Sequence, residues 1–496
     1  MGVVRFLGSE RVWGGGGLRP FSRLYWRVLG EWLVLGLINL VVWINVWGHP
    51  PLVGYDASGH VLYIWTLGNG RLPTPYDTHE FFSPPLPYAL PALLRWLGWV
   101  ELDTAVELAQ GLNGLVSVGI TVVLWRLARL LYPHDAEYRL SVVVLLGIMP
   151  VYYKTLTFIR GEPWVTLFVL LVVYELAVWL IDGRFGRGQA VRLGVWLGLA
   201  ALSRQWAFLV FPALFFFLVV YGWRHREQIG SREIGRFVRY AVLVVGLILV
   251  IAGWFYAHLH LTYGSVAAFN RAPESQFSLA NQSRQFYLGL GDGLLFADPV
   301  RPSFANQLIP TFYAEFWGDY EGYFLVYVWD AAKERFVPPF AWDELFGSGE
   351  IPPYVVTNRF VINRWLGWVN GVALGVTAVF LVAFVWSGVV SWYWWRGVKN
   401  DSKTAVYSLC WLVLLISAIG YLCFLILYPN PGNGDTIKAT YLLHTYPLLA
   451  LLTGAFWRAV RLRWHWGNRF LWGLVGGTAV FLAPAFISRY ALFMWR

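Results

Sequence analysis

Charged side chains are scarce in this chain of 496 residues, and their scarcity excludes most soluble folds. Only 13% of the residues are Asp, Glu, Lys or Arg and 58% are hydrophobic, whereas soluble domains have about 25% charged and about 45–50% apolar residues. Five runs, 32–47, 206–223, 241–255, 366–389 and 404–428, contain no charged residue. A membrane span needs about 20 apolar residues, and helices satisfy their own backbone groups in lipid. The runs therefore predict an all-α polytopic membrane protein.

Cysteine is equally rare, and no internal repeat relates two halves of the chain. Cys410 and Cys423 lie on one predicted helix, about 20 Å apart, which excludes a disulfide between them. Transporters tend to have paired halves and polar residues at the middle of the membrane. The missing repeat weighs against a transporter or a lipid-linked saccharide flippase. Glu175, inside the fourth predicted span, is nevertheless typical of transport sites and keeps that alternative open.

The basic residues follow a pattern that predicts topology. About eleven spans are predicted, at 31–48, 106–131, 139–158, 163–181, 191–203, 205–222, 240–259, 364–393, 404–428, 444–460 and 469–488. Alternate connections are rich in Arg and Lys, and by the positive-inside rule these connections are cytoplasmic. The N-terminus is then on the cytoplasmic side of the plasma membrane and the C-terminus on the extracytoplasmic side. The net charge of +10 thus reports topology and does not indicate nucleic-acid binding.

Two connections on the predicted extracytoplasmic side are long, loop 1 at 49–105 and loop 4 at about 260–363. Loops beyond about 12–15 residues are usually functional or disordered, and the aromatic residues of loop 4 favour an ordered segment. We therefore divide the chain into an N-terminal membrane module at 1–258 that includes loop 1, an extracytoplasmic loop domain at 259–363, and C-terminal membrane helices at 364–496.

Loop 1 carries polar residues at helical spacing. If a helix restarts near Ala57, then Asp56, His60 and Tyr63 lie on one face, and Asp56 is placed to act as a general base. The alternative is that Asp56 caps the helix, since Asp is common at that position. Farther along, His79 and Glu80 are candidate ligands of a cation or of a sugar hydroxyl, or are ordinary polar loop residues.

Three cations lie on the otherwise cation-poor outer face. Arg160, Arg204 and Lys438 fall in short outer connections, where they can bind a phosphate or anchor at lipid headgroups. Glu162 follows Arg160 at the start of the next span, beside the positive end of that helix. A phosphate-bearing lipid substrate would use such charges.

The order of these fragments resembles the GT-C fold glycosyltransferases, particularly relatives of the protein O-mannosyltransferases and of the aminoarabinose lipid A transferase. The matching residues are Tyr55-Asp56-x-x-x-His60-x-x-Tyr63-Ile64, Gly70-x-Leu72-Pro73, Glu80, Pro84-Pro85-Leu86-x-Tyr88, Arg160-x-Glu162-Pro163, and Lys438-Ala-Thr-Tyr441 with Pro447. The chain departs from the family at Ala57, where a second acid is common, and at Ser83, where relatives often have a charge.

The resemblance implies inverting transfer of a sugar from a polyprenyl-phosphate donor to an extracytoplasmic acceptor. Asp56 would be the general base and Glu162 a second acid. Arg160, Arg204 and Lys438 would hold the phosphate, and His60, Tyr63, His79 and Glu80 would contact substrate. No cofactor is required, although a divalent cation is possible, and the acceptor can be a lipid, a glycan or a protein. The rival functions are transport and a non-enzymatic receptor or assembly subunit that binds through loop 4.

Overall fold

The structure, a computed structural model, describes residues 19–227, 230–268, 276–326, 328–330, 335–337, 353–432 and 434–493. The predicted loop domain at 259–363 is therefore described only in part, and its boundaries remain predictions. Outside one short hairpin, the regular elements of the described residues are helical. This confirms the predicted all-α polytopic class.

Eleven α-helices form the first part of the chain. They are α1 (Arg19–Gly48), α2 (Ala57–Leu67), α3 (Leu86–Trp96), α4 (Leu102–Leu131), α5 (Ala136–Gly147), α6 (Pro150–Thr157), α7 (Glu162–Asp182), α8 (Arg187–Ser203), α9 (Val210–Arg224), α10 (Ser231–Ile248) and α11 (Trp254–Tyr263). A 3₁₀ turn, Gln205–Leu209, leads into α9, and a π turn, Leu249–Gly253, joins α10 to α11.

The second part begins with short helices, continues with four long ones and ends with one short helix. It contains α12 (Arg284–Leu288), α13 (Leu308–Trp317), β1 (Val328–Asp330), β2 (Arg335–Val337), α14 (Pro353–Trp395), α15 (Ser402–Leu427), α16 (Tyr446–Arg463), α17 (His465–Leu482) and α18 (Arg489–Phe493). The two strands form an antiparallel hairpin in which Trp329 lies opposite Phe336. Four 3₁₀ turns, Leu279–Asn281, Leu294–Phe296, Ala439–Thr445 and Ala483–Phe486, complete the regular structure of this part.

Eight helical segments of the described chain are long and apolar enough to cross a membrane, or nine if the pair α5 and α6, bent by 61°, is one span. Two further predicted spans correspond to α8, which has 17 residues, and to α16, which carries Arg458, Arg461 and Arg463. Neither helix is both long enough and apolar enough to be counted as a membrane span. The count of eleven spans therefore remains a prediction.

The ends of the first and last long helices meet. Asn45, near the end of α1, donates to the Phe486 carbonyl at 2.7 Å and accepts from the Ser488 amide at 2.8 Å. We call this the site end of the bundle. Because α1 runs toward this end and α17 finishes there, the described chain starts and stops at opposite ends.

Small residues let the helices approach one another around a buried centre. A Cβ added at Gly114 in α4 would lie 2.9 Å from the ring of Trp43 in α1, so this glycine permits their contact. α7 packs against both α4 and α8, and most of its residues are buried, so it has no need of a polar face. Its sequence is accordingly apolar between Glu162 and Glu175.

The described part of loop 4 is anchored to the bundle by polar contacts. Gln282 donates to the Leu425 carbonyl at 2.6 Å, and Asn370 donates to the Leu295 carbonyl at 2.9 Å. Lys154 of α6 forms an ion pair with Glu315 of α13 and also donates to the Glu315 carbonyl at 2.9 Å. Residues 276–326 therefore form a fixed wall beside the membrane helices.

Candidate active site

Asp56 lies immediately before α2 in the left-handed region of backbone conformation, with φ 55° and ψ 25°. Asp is among the few residues other than glycine that adopt this conformation readily. Its side chain makes no hydrogen bond to the start of α2. Helix capping therefore does not explain Asp56, and its carboxylate is free to face other groups.

Those other groups are a lysine and a histidine. Lys438 Nζ donates to Asp56 Oδ2 at 3.1 Å, and His79 Nε2 lies 3.6 Å from Asp56 Oδ1. The Asp56 side chain is 31% exposed, that of His79 is 48% exposed and that of Lys438 is 9% exposed. A substrate can thus reach the carboxylate from the side of His79 while Lys438 closes the other side.

The charge of Lys438 controls the ionisation of Asp56. Burial raises the pKa of the Asp56 carboxyl, but Lys438 and the neighbouring His79 outweigh that effect and hold the pKa well below its usual range. The Asp56 carboxylate in turn raises the pKa of His79. Asp56 is therefore ionised at neutral pH, as a general base must be.

A second acid lies next to Asp56 on the same loop. Glu80 is 3% exposed, accepts a hydrogen bond from Arg204 Nη1 at 2.6 Å, and lies within reach of the Ser83 hydroxyl. Burial raises the pKa of Glu80, but Arg204 and other nearby charges bring it down to about 2. Ser83, where relatives often have a charge, contacts both Glu80 and Arg204.

The remaining predicted acid extends this arrangement. Glu162 accepts two parallel hydrogen bonds from Arg160, each of 3.0 Å, and its Oε1 lies 3.3 Å from Arg204 Nε. A continuous chain of ion pairs thus runs from Arg160 through Glu162 and Arg204 to Glu80. It joins loop 1 to the connections before α7 and after α8.

The alternative that the three outer cations only anchor at lipid headgroups does not agree with their burial, whereas their predicted role in binding phosphate stays a prediction. Arg160 is 1% exposed, Arg204 is 5% exposed and Lys438 is 7% exposed, and each has a carboxylate partner. A buried charge is tolerated only when it is paired, and sequence spacing alone did not identify those partners.

Two other predicted residues support the loop from inside α2. Tyr63 donates its phenol to the Ser83 carbonyl at 2.7 Å, which fixes the approach to Pro84. His60 Nδ1 lies 2.8 Å from the Tyr88 hydroxyl, and its Nδ1 is 4.0 Å from Glu80. Burial lowers the pKa of His60 to about 4, so this ring is neutral at pH 7.

The ring of Tyr55 lies close to three cations. The sequence analysis had not identified Tyr55 as a site residue. Its ring centroid lies 5.0 Å from Lys438 Nζ, 5.1 Å from the Arg160 guanidinium and 5.9 Å from Lys154 Nζ. Within the part of the chain that the structure describes, the Tyr55 hydroxyl and Arg160 Nη1 are buried without a hydrogen-bond partner. These two hydrogen-bond donors have no partner among the described residues, and they lie among the positive charges of Lys438, Arg160 and Lys154. Such an arrangement is suited to binding an anion.

Lys154 was also missed, although the sequence contains a signal for it. It is the one charged residue between Arg139 and Arg160, inside a predicted span, where an ionisable residue indicates function or a buried partner. Its partner Glu315 lies 161 positions away in sequence.

A turn from loop 4 covers the ring of Tyr55. The Asp319 carboxylate accepts from the backbone amides of residues 323 to 326 at 2.6–3.2 Å, which fixes the turn. Tyr323 then packs edge-on against Tyr55, with 5.3 Å between ring centroids. The site therefore uses residues from both long loops.

An apolar groove of about 460 Å³ lies next to this cluster. It lies between α13, α14, α15 and α16, and its lining includes Phe312, Phe380 and Tyr421. Lys438 N donates to the Tyr421 hydroxyl at 2.7 Å. One wall of the groove is thus hydrogen-bonded to the residue that holds Asp56.

Comparisons with known proteins give one family and several solved structures. Residues 83–256 match the family described as dolichyl-phosphate-mannose-protein mannosyltransferase. No curated protein sequence matches the chain. The fold is similar to the oligosaccharyltransferase of Archaeoglobus fulgidus in its apo form, with 13% identity and a TM-score of 0.48 over 94% of this chain and 57% of that one. The chain thus spans little more than half of that protein's length.

Two structures of ArnT from Cupriavidus metallidurans are also similar. The apo form has 16% identity and a TM-score of 0.36 over 88% of this chain and 79% of that one. The form bound to undecaprenyl phosphate has 17% identity and a TM-score of 0.37 over 86% and 78%. The family match over residues 83–256 bears out the predicted resemblance to the protein O-mannosyltransferases for that part of the chain.

Proposed function

We propose that the chain transfers a sugar, with inversion, from a polyprenyl-phosphate to a hydroxyl group of an acceptor. The observation that carries this proposal is the position of Asp56. It is a partly exposed carboxylate, ionised by Lys438, beside a cluster of buried cations and an apolar groove. Such a site combines a base, buried cations that can bind a phosphate, and space for a lipid tail.

Asp56 is the base in this proposal. It takes the proton of the acceptor hydroxyl as that oxygen attacks the anomeric carbon from the face opposite the phosphate. Glu162 is a poor candidate for the same step, because Arg160 and Arg204 bind its two carboxylate oxygens. We assign Glu162 to holding these two arginines.

The leaving phosphate is bound where the cations surround Tyr55. Negative charge grows on the phosphate as the sugar departs, and fixed positive groups stabilise that charge. Arg160 Nη1 and the Tyr55 hydroxyl supply buried donors that no other described residue uses, and Lys438 supplies a positive charge 5.0 Å from the centre of the same ring.

The isoprenoid tail is assigned to the apolar groove. Its volume of about 460 Å³ lies within the range of about 300–1,000 Å³ that is usual for ligand pockets. Tyr421 connects the groove to Lys438. An isoprenoid tail bound in the groove would therefore place its phosphate near Lys438 and Tyr55. We further propose that the site end is extracytoplasmic, as the distribution of basic connections predicts.

Arg160→Lys is expected to weaken the use of the sugar donor by roughly tenfold to a hundredfold, because one charge-assisted hydrogen bond contributes about 1.5–3 kcal/mol. Lysine keeps the charge but loses the planar fork that binds Glu162 while presenting Nη1. The measurement is the dependence of transfer on the concentration of polyprenyl-phosphate sugar.

Arg192→Lys is the matched control for Arg160→Lys. Arg192 binds Glu175 through the same two-bond geometry, at 2.7 and 2.9 Å, but lies elsewhere in the bundle. Equal dependence on the sugar donor in both variants would show that Arg160 serves only to hold Glu162.

Three residues of loop 1 are a possible cation site. Asp56, His79 and Glu80 each place one ligand atom within 4.8 Å of the others, and this donor set suits a divalent ion. The surrounding charges fit such an ion poorly, since Lys438 already neutralises Asp56 and Arg204 neutralises Glu80. We therefore propose that transfer proceeds without a divalent cation.

Sugar transfer is accordingly expected to continue at the same rate in a chelator such as EDTA. The measurement is the initial rate with EDTA, with Mg²⁺ and with Mn²⁺. A rate that falls in EDTA and returns with Mn²⁺ in the native protein, but not in His79→Ala, would place a cation among these three residues.

Glu175, the residue that favoured transport in the sequence, no longer supports that alternative. Glu175 forms a two-bond ion pair with Arg192, so its presence inside a span is explained by a structural partner. No described feature specifically favours transport over transfer.

A further inference from the structure

A cavity of about 400 Å³ lies at the end of the bundle opposite the site. Its walls are the end of α7, the connection that follows, the second half of α9 and the first half of α10. α7 begins at Glu162, inside the site, and ends at Asp182, so its 21 residues place the cavity about 30 Å from the site. We call the cavity the arginine pocket, after Arg226 and Arg236 in its lining.

Four aromatic rings form one wall of the arginine pocket. The ring of Trp179, near the end of α7, lies 4.8 Å from the ring of Tyr221 in α9 and 5.4 Å from the ring of Phe185. Phe185 in turn lies 5.7 Å from Tyr240 in α10. These distances join ring centroids. The wall is therefore apolar, and ring contacts between three helices and one connection hold it together.

The pocket also reaches the lipid-facing surface of a predicted span. Ile234 and Phe237 of α10 line the pocket and are 54% and 44% exposed. Both lie at the start of Ile234–Tyr263, a segment that is long and apolar enough to cross a membrane. Lipid tails are as apolar as such side chains and pack against them. An acyl chain can therefore pass from the bilayer into the pocket beside these two residues.

Positive charge is concentrated around the pocket. The segments 182–191 and 224–239, which contribute to it and flank it, contain seven arginines and three acids. Arg226 and Arg236 line the pocket and are exposed. The Arg226 guanidinium lies over the ring of Trp223, 5.7 Å from its centroid, and no carboxylate of the described residues forms an ion pair with it. Arginine binds phosphate oxygens through parallel, charge-assisted hydrogen bonds.

The apolar wall and the arginines complement the two parts of an anionic phospholipid. A soluble phosphate would leave the apolar wall uncovered, and a zwitterionic lipid would bring a second positive charge to the arginines. Basic pockets between membrane helices on the cytoplasmic side bind anionic headgroups. Under the topology proposed above, the arginine pocket lies on that side.

We propose that the arginine pocket binds an anionic phospholipid, with the phosphate at Arg226 and Arg236 and one acyl chain between Phe237 and the aromatic wall. The volume of about 400 Å³ lies within the usual range for a ligand site, about 300–1,000 Å³. A lipid bound there touches α7, α9 and α10 together and stabilises their packing. This site is separate from the site around Asp56, and the inference does not depend on the proposed function.

The ligand class is tested by thermal unfolding of the full chain in detergent micelles. Dioleoylphosphatidylglycerol is expected to raise the melting temperature, because a ligand that binds only the folded state stabilises it. Dioleoylphosphatidylcholine has the same acyl chains and should raise it much less. An equal rise with both lipids would overturn the choice of an anionic lipid. An equal rise with inorganic phosphate alone would show that the ligand is a soluble anion, and would overturn the choice of a lipid.

The position of the headgroup is tested with the double variant Arg226→Gln and Arg236→Gln. We expect the phosphatidylglycerol concentration for half of the maximum effect to rise by roughly thirtyfold, because each arginine near an anionic headgroup contributes about fivefold. The matched control is Arg396→Gln with Arg469→Gln. These arginines are also exposed and lie over tryptophan rings, at 4.5 and 4.9 Å, but do not line the pocket. A native response in the Arg226 and Arg236 variant would overturn the proposal.

The position of the acyl chain is tested with Gly222→Leu. Gly222 lines the pocket, and a Cβ added there would meet no atom within 4 Å, so leucine occupies the cavity without displacing a neighbour. We expect phosphatidylglycerol binding to weaken by about tenfold or more. Gly246→Leu in α10 is the control, because a Cβ at Gly246 also meets no atom within 4 Å and Gly246 lies outside the pocket lining. Equal phosphatidylglycerol binding in the two glycine variants would overturn the placement of the lipid in this cavity.

Discussion

Asp56→Asn is expected to lower the rate of sugar transfer by roughly 10²–10⁴, the usual contribution of a general base, while thermal stability and binding of the sugar donor stay near those of the native protein. Asparagine matches the shape of aspartate and also adopts the left-handed conformation that this position has. Its side-chain oxygen can still accept from Lys438. The variant also removes the charge that pairs with Lys438, but the Asp56 side chain is 31% exposed, so the loss of stability should be small beside that from breaking a fully buried pair.

Asp103→Asn is the matched control for Asp56→Asn. Asp103 is exposed, lies in the first turn of α4 and contacts none of the site residues described above, so its variant should transfer sugar at the native rate. Near-normal turnover in Asp56→Asn would refute the assignment of the base.

Glu162→Gln has a different expected signature. Removing the charge of Glu162 leaves the buried Arg160 without its carboxylate partner, while Arg204 keeps Glu80, and breaking a buried pair costs about 3–5 kcal/mol. We expect a lower melting temperature together with weaker use of the sugar donor. An inactive Glu162→Gln of native stability, alongside an active Asp56→Asn, would move the base to Glu162.

Lys438→Met is expected to have the second largest effect, because it removes two functions at once. The phosphate loses a positive charge, which should weaken use of the sugar donor by roughly tenfold to a hundredfold. In addition, burial raises the pKa of Asp56 and Lys438 lowers it, so the pKa rises when Lys438 is replaced. Asp56 is active when ionised, and activity is lost as pH falls through its pKa. The acidic limb of the pH–rate profile should therefore move to higher pH.

The control for this profile is Lys403→Met. Lys403 also lies over a tyrosine ring, 4.2 Å from the centre of Tyr132, but begins α15 far from the site. Its pH profile should match that of the native protein. An acidic limb that does not move in Lys438→Met would show that another group controls activity at low pH.

The sequence was sufficient for the membrane class, because spans follow from apolar length alone. It also drew attention to Asp56, His79 and Glu80 of loop 1, which the structure places close together, whereas the role of Asp56 as general base stays a prediction. The bend between α5 and α6 was not predicted. It coincides with Pro150 at the start of α6, where a proline is well placed to begin a new helix.

The ion pairs could not be predicted, because their partners are distant in sequence. Asp56 and Lys438 are 382 positions apart, and Glu80 and Arg204 are 124 apart. Arg160 and Glu162 were predicted as neighbours, but whether their charges face lipid, water or each other depends on how three connections meet. The role of loop 4 was missed for the same reason, since Glu315 and Tyr323 reach the site only through packing.

The ion-pair chain also has a consequence for how the protein is made. Arg160 and Glu162 are separated by one residue, so they neutralise each other as soon as both leave the ribosome, and α7 can enter the membrane without a net charge at its start. Arg204 is synthesised later and has no such local partner. Glu80, already in place on loop 1, provides the opposite charge when α8 arrives. The order of these residues along the chain thus places both carboxylate partners of Arg204, Glu80 and Glu162, on segments that are synthesised before it.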